Sequence, residues 1–408
     1  MTDKNKPLLV LALTLTACAP AKSVRCAELQ ASLTECIGSK VPQLDCTNIS
    51  DADLERVRTV TRTLSCDVIV TALPVDGDVA SAACRLANVG CVAPVTPAPE
   101  KRPTRYPVLL VNGIDTSPLF RYSQRIQTTM TELGGHAVFL ATLTPYETPR
   151  RRAPELWARI KEIREKTGAT KVNLICHSLG GLDCRYLVSP HGLTLDLEGA
   201  PDLASSVASI TTVGTAHRGT RIADVLLGLT PDENRGQLIN DFATFAGDWF
   251  SEDALTHDVH LREALQALTI SQAITFNAEI DDAPGVEYQS FAGVSRPFGE
   301  ASAEHDARMR EVCTTSDGAQ GLLGFGKHDF MALTLVPFTD TVGGSTGEPN
   351  DGLSAVASAR WANFRGCIPA DHMEQLGERN IPDVNVENGF DVARFYTNIA
   401  GGLSKRGF

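Results

Sequence analysis

The amino-acid sequence predicts an α/β protein with a mostly parallel central sheet, preceded by a small, mostly helical, disulfide-rich module. Three observations carry this reading. Strand-like runs recur at 106–114, 137–141, 171–176 and 207–213, with helix-length intervals between them, the alternation that a parallel sheet with crossover helices requires. Around Ser178 a strand, a sharp turn and a helix follow one another directly. Six cysteines crowd between Cys26 and Cys91, ahead of a proline-rich stretch.

The composition sets outer limits. A chain of 408 residues, 43% hydrophobic and 21% charged, can bury a large core and is neither collagenous, wholly disordered nor a multi-span membrane protein. Its 37 basic and 49 acidic side chains leave a net charge of −12, which repels a phosphate backbone and excludes nucleic acid as an expected partner.

In chain order, residues 1–17 form a targeting segment. Lys4 and Lys6 precede an apolar run from Pro7 to Ala17 that falls short of the ~20 residues of a membrane-spanning helix. It ends in Leu15-Thr16-Ala17-Cys18, which resembles the lipobox of bacterial lipoproteins. That resemblance implies acylation of Cys18 and export. With Ala19 following, it implies a lipid anchor in the outer membrane of a Gram-negative bacterium; without acylation the chain is secreted. Beyond Cys18 the chain then folds where disulfides persist.

Residues 18–92 hold Cys26, Cys36, Cys46, Cys66, Cys84 and Cys91, enough for three bridges in any of fifteen pairings. Leu54, Val57, Val60 and Leu64 recur at spacings of three and four after Asp51-Ala52-Asp53, predicting a helix with one buried face. A spacer or cap is the expected role. Residues 93–105, with prolines at 94, 97, 99 and 103, form a semi-rigid linker, and residues 106–408 form the main domain.

The main domain opens with Tyr106-Pro107-Val108-Leu109-Leu110-Val111 running into Asn112-Gly113-Ile114. Further on, Lys171 to Cys176 is strand-like, His177-Ser178-Leu179-Gly180-Gly181 is the turn, and Leu182 to Val188 is a helix. This is the arrangement of a nucleophile elbow, in which a strained turn lifts a serine hydroxyl above the sheet and small neighbours let strand and helix approach. The usual pattern is G-x-S-x-G; Cys176 replaces the first glycine. The turn after the first strand is where such a fold supplies its second oxyanion donor, so the backbone N–H groups of Ile114 and Leu179 are the candidate donors. The acid and the base follow the serine in that order. His372, in Ala370-Asp371-His372-Met373, follows Asp351 in Pro349-Asn350-Asp351-Gly352, two loops separated by one short element; Asp329 and Asp340 are reserve acids. His177 and His217 are read as structural neighbours of the site.

Taken together, Tyr106 to Gly113, Ala169 to Leu174, Ser178 to Tyr186, Thr212 to Gly219, Asn350 to Leu353, Asp371-His372 and Phe390-Asp391-Val392-Ala393 resemble, in order, the blocks of the secreted bacterial triacylglycerol lipases of the Pseudomonas and Burkholderia type. The resemblance covers about residues 105 to 408. It implies an α/β-hydrolase fold, a Ser178, Asp351 and His372 triad, Ile114 and Leu179 at the oxyanion hole, and a lipid or ester substrate. It also implies that apolar segments between acidic stretches at about 220–285 are a helical lid; helices packed simply on the sheet are the competing reading of the same segments. No cofactor is expected for the reaction. The family's structural calcium site is altered, with Glu374 and Glu378 at its ligand positions and Asp329 as a further candidate; a periplasmic foldase is a candidate partner. Its single disulfide is altered too, since Ala357 stands at one cysteine position; Cys313 and Cys367 are the expected replacement, and Cys176 and Cys184 are expected as buried thiols. A short-chain esterase or acyltransferase using the same triad, and a catalytically silent surface-anchored binding protein, are the competing readings.

Overall fold

The structure, a computed structural model, describes residues 22–37, 51, 54, 58, 101–116, 120–196, 203–246, 251–296, 303–318, 331–332, 334–377 and 390–408. Before the main domain it shows helix α1 (Lys22–Ile37), with Leu29 and Leu54 buried and Arg25 paired to Asp51 at 2.7 Å; Arg58 pairs with Glu28. Asp51, Leu54 and Arg58 are helical; Val57, Val60 and Leu64, on which the expected helix also rests, lie outside the described residues. Cys18, the targeting segment and most of the cysteine-rich stretch lie outside the described residues.

Among the described residues six strands make one sheet: β1 (Val108–Val111), β2 (Val138–Ala141), β3 (Val172–His177), β4 (Val207–Val213), β5 (Glu287–Gly293) and β6 (Asn363–Ile368). Their order is β2-β1-β3-β4-β5-β6 and every neighbouring pair is parallel. Every residue of β1, β3 and β4 is buried, which is why these strands read as continuous apolar runs instead of alternating ones. Leu110 and Ile175 face one apolar layer, which includes Ile126, Met130, Tyr396 and Leu403. Leu109, Leu174 and Cys176 face the other, with Leu156, Ile160 and Leu187.

The helices follow from local signals. Helix α2 (Gln124–Glu132) packs on the first layer, and α3 (Pro149–Thr167) on the second; α3 starts with proline at N1 and stops at Gly168 in the left-handed conformation, φ 70°. Helix α4 (Gly180–Val188) follows β3 after a two-residue turn. Between β4 and β5 the described residues form five short helices, α5 (Arg221–Leu226), α6 (Arg235–Ala246), α7 (Glu252–His257), α8 (Val259–Gln266) and α9 (Ile270–Glu279), in the region of the apolar segments read at 220–285. Helices α10 (Ala303–Val312), α11 (Val336–Gly343) and α12 (Val392–Lys405) complete the set used below. Asp391 caps α12 through the Arg394 N–H and also holds Arg125 of α2 at 2.9 Å. The two ends of the domain meet: the Arg105 N–H donates to the Phe408 carbonyl at 2.7 Å and the Ser404 hydroxyl to the Pro103 carbonyl at 2.9 Å.

The chain runs from β1 outward to β2, then crosses back to β3 on the other side of β1 and proceeds to β6. The crevice at the carboxyl ends of β1 and β3 is therefore a topological switch point, the place where open α/β sheets bind ligands. Gly113 and Ser178 leave the sheet there.

Two disulfides tie the domain. Cys313, just after α10, joins Cys367 in β6, as expected. Cys176 and Cys184, read from the sequence as thiols, are instead joined: α4 folds straight back onto β3, so the inward face of its second turn meets the strand it has just left. Among the described residues no helix is long and apolar enough to cross a membrane.

Closing a loop with a sequence separation of 54 restricts the unfolded chain by about 4 kcal/mol in the chain-entropy account. The double variant Cys313→Ser/Cys367→Ser is expected to lose stability of that order in urea titration. An unchanged midpoint would show that this bridge restrains nothing.

Candidate functional site

Ser178 is one of three non-glycine residues with positive φ among the described residues, at 52°. A left-handed serine costs backbone energy and persists only where its surroundings enforce it. Here they do. The Ser178 N–H donates to the Val213 carbonyl at 3.0 Å, and its carbonyl accepts from the Gly181 N–H at 3.0 Å and the Thr215 hydroxyl at 2.8 Å. Two glycines make room: a Cβ on Gly180 would stand 2.5 Å from the Asn112 carbonyl oxygen, and one on Gly113 would stand 2.9 Å from Ser178 Cβ. The turn after β1 thus lies against the serine, which is half-buried.

Ile114, on that turn, and Leu179, the residue before α4, each present a backbone N–H with no protein acceptor among the described residues. Asn112, which opens this turn, is structural. Its Oδ1 accepts from the Leu143 N–H at 2.9 Å and its Nδ2 donates to the carbonyls of Gly113 (3.0 Å) and Asp115 (3.2 Å). The loop after β2 also supports the turn, because the Tyr146 N–H donates to the Ile114 carbonyl at 2.9 Å.

Asp351 and His372 come together as the sequence suggests. His372 Nδ1 lies 2.8 Å from Asp351 Oδ2, and the His372 N–H donates to the Asp351 carbonyl at 2.9 Å. The same carboxylate accepts from the N–H groups of Leu353 (3.1 Å) and Ser354 (2.7 Å) and from Gln375 Nε2 (2.8 Å). Both residues are buried. With Nδ1 carrying the proton toward Asp351, His372 Nε2 is left as the basic nitrogen.

His177 connects the two halves. It ends β3 immediately before Ser178, its Nε2 donates to the His372 carbonyl at 3.1 Å, and the two imidazole rings lie 4.6 Å apart. Burial, reinforced by His372, holds the His177 pKa well below the usual histidine range, so the ring stays neutral. Sequence reasoning placed His177 beside the elbow but missed this bond, and it missed Gln375 altogether. The Gln375 carbonyl is held in turn by the Tyr396 hydroxyl at 3.0 Å. Nothing in Asp371-His372-Met373-Glu374-Gln375 marks the glutamine, since its role depends on a loop 24 residues upstream.

The remaining candidates sort cleanly. Asp340 is exposed on α11, and Asp329 lies outside the described residues. His217 is buried away from the acid–base pair, with Nε2 3.0 Å from the Thr212 hydroxyl and its ring stacked on Trp361 at 5.2 Å; the Arg185 guanidinium covers the same indole at 3.7 Å. Glu374 accepts the Asp371 N–H at 3.0 Å, and Glu378 lies outside the described residues. Among the described residues no group of three or more His, Cys, Asp or Glu side chains could hold a metal ion.

The chain is similar to known proteins in both sequence and fold. Residues 144–290 match the alpha/beta hydrolase fold family. Over 321 residues the chain is 34% identical to a triacylglycerol lipase of Pseudarthrobacter phenanthrenivorans, covering 72% of this chain and 96% of that protein. It is 32% identical to a triacylglycerol lipase of Burkholderia plantarii, covering 72% of this chain and 86% of that protein. Among solved structures, the mature form of the Bacillus licheniformis lipase BlEst2 covers 75% of this chain and 95% of its own, at 16% identity and a TM-score of 0.46.

Burial, with Arg185 and Arg218 nearby, holds the His217 pKa well below the usual range. The unfolded chain therefore binds the proton more readily, so this histidine's contribution to stability is complete above about pH 6.5 and is lost as pH falls below it. Urea midpoints measured between pH 7.5 and 5.5 are expected to fall less steeply in His217→Gln than in the parent. Parallel slopes would contradict the assignment.

Proposed function

Because the chain belongs to the triacylglycerol lipase family of α/β hydrolases and is a carboxylic-ester hydrolase, we propose that it cleaves acylglycerol esters with Ser178 as nucleophile, His372 as base and Asp351 as the orienting acid. The observation that carries this reading is the left-handed Ser178 at the end of β3, pressed against Gly113, with the preceding His177 bonded to the His372 that Asp351 holds. His372 Nε2 takes the serine proton as the oxygen attacks the ester carbonyl. The developing oxyanion is held by the Ile114 and Leu179 N–H groups, each such donor being worth about 3 to 4 kcal/mol in the transition state. The tetrahedral species collapses, His372 protonates the departing alcohol, and the acyl group remains on Ser178. Water, deprotonated by the same imidazole, then releases the fatty acid.

The helices α5–α9 are the proposed lid over the acyl groove. Leu229, Val259 and Ile274 on this insertion are 58–68% exposed, which suits contact with a lipid surface. The insertion is also fastened to the edge of the site, since His260 and Glu263 of α8 meet Glu147 (2.6 Å) and Arg151 (2.5 Å) beside α3. Acylated Cys18 is the proposed membrane anchor, on the outer membrane of a Gram-negative cell, with residues 18–92 as the spacer and a periplasmic foldase as an assembly partner. Glu374 and Glu378, with Asp329, are the positions proposed for a structural calcium.

Labelling with a fluorophosphonate, followed by peptide mapping, is expected to place the adduct on Ser178. Ser178→Ala should abolish labelling and lower kcat/KM on p-nitrophenyl esters by at least about 10⁴-fold, and Asp351→Asn should lower kcat by about 10⁴-fold. Absence of an adduct on folded protein would overturn the assignment. Turnover of a long-chain ester is expected to rise once the substrate passes from monomer to emulsion; equal rates would remove the lid reading while leaving the triad.

A further inference from the structure

The Cys176–Cys184 bridge spans the turn that carries Ser178. Cys176 is the penultimate residue of β3 and Cys184 the fifth of α4. The bridge therefore closes a small ring that contains His177, Ser178, Leu179 and the first turn of the helix. Both cysteines are fully buried, in the apolar layer that includes Val111, Leu174 and Leu187. The strand end of the ring is fixed, because Cys176 stands opposite Val111 of β1 and Thr212 of β4 in the sheet register. The sulfur bond thus fastens α4 to a point that the sheet holds from both sides.

A left-handed serine relaxes unless the segments on both sides of it are held. On the strand side β1 and β4 do this. On the helix side the first two residues of α4 are glycines, which allow close approach and contribute no side chain to keep the helix there. In the G-x-S-x-G pattern the position of Cys176 is a third glycine, which cannot be cross-linked. Here that position carries a sulfur, and a second sulfur faces it from the next turn of the helix. A shift of α4 away from β3 would displace two groups together. Leu179, the residue before the helix, carries a proposed oxyanion donor, and the Ser178 carbonyl is bonded to the Gly181 N–H.

We propose that the Cys176–Cys184 bridge is a positioning device that makes turnover conditional on oxidation: the disulfide form holds the Ser178 hydroxyl and the Leu179 N–H in register, and the dithiol form lets them drift. The proposal rests on the assignment of Ser178 as nucleophile and Leu179 as donor. The bridge forms by thiol–disulfide exchange with a small disulfide such as oxidised glutathione. One cysteine thiolate attacks it, giving a mixed disulfide and one glutathione thiolate; the second cysteine thiolate attacks the protein-bound sulfur and expels the other. Two electrons pass to the glutathione disulfide, and the two protons lost by the cysteines end on the two glutathione thiols. Because both sulfurs are buried in the finished domain, this exchange belongs to folding.

The test uses the full chain and a soluble monomeric ester. Active sites are titrated with a fluorophosphonate, so that every rate is per competent enzyme, and an alkyl boronic acid serves as the tetrahedral analogue. All rates are taken well below each melting midpoint. In Cys176→Ala/Cys184→Ala, kcat per site is expected to fall about 10- to 100-fold, with KM within about threefold and the boronate inhibition constant raised as kcat/KM falls. A structural role alone would lower the midpoint or the titratable fraction and leave kcat per site and boronate affinity unchanged, which would overturn the proposal. If the double variant does not fold, Cys184→Ala decides by the same two readouts. In a second arm the parent is refolded from urea in glutathione buffers of rising oxidised fraction, and peptide mapping counts the molecules that carry the bridge. Turnover per titrated site should track that count, whether or not the variants fold. A flat dependence, or Cys176 and Cys184 found as free thiols in fully active protein, rejects the proposal. Failure of the oxidised parent to label at Ser178 rejects the underlying assignment instead, so the two failures are separable.

Discussion

The fold depends on a close approach of backbones at the carboxyl ends of β1 and β3. Ser178 can take its left-handed turn only because the strand before it is paired on both sides, by β1 and β4, and because its own carbonyl is held by Gly181 and Thr215. The turn lets α4 double back onto β3, and the glycine at 113 lets the neighbouring turn come within contact of the serine. Any added methyl at Gly113 or Gly180 would push these backbones apart. The strain of one residue is thus spread over a sheet and two turns, each of which is rigid for independent reasons of burial.

Against this fixed centre, the acid and base arrive from the far end of the sheet. Neither lies on a regular element. Asp351 sits in a tight turn closed by the Asn350 and Ala355 bridge, and His372 follows β6 by four residues. Loops of this kind owe their precision to hydrogen bonds more than to packing, and here the bonds are numerous. Asp351 alone takes donors from His372, Leu353, Ser354 and Gln375. The Cys313–Cys367 bridge holds the root of the histidine loop, while His177 joins that loop to the serine strand. The imidazole is held by its backbone as well as its ring.

The parts legible in the sequence are those whose signal is local. Val108 to Val111, Val172 to Cys176 and Val207 to Val213 read as buried parallel strands because burial on both faces leaves no polar alternation. Ser178 declares itself through glycines on one side and a strand on the other. Asp351 and His372 were found by their order along the chain, which the family resemblance reinforced. What stayed illegible is pairing at a distance. Gln375 has no motif, because its value comes from Asp351. Arg152 reads as one more arginine among Arg150 and Arg151, and only the fold shows that it alone turns inward. Cys176 and Cys184 misled for the opposite reason: eight residues apart across a turn, they gave no hint that the helix would bring its second turn back to the strand.

The meeting of the domain's two ends has an architectural consequence. Residues 103–105 enter beside Ser404 and Phe408, at the edge where β1 begins, whereas Ser178 and Gly113 lie at the edge where β1 and β3 finish. Whatever precedes residue 101 is therefore attached to the underside of the sheet, with the mouth of the site on the opposite rim. The point where the chain enters the domain and the mouth of the site are thus separated by the length of the strands, as the base of a cup is from its rim.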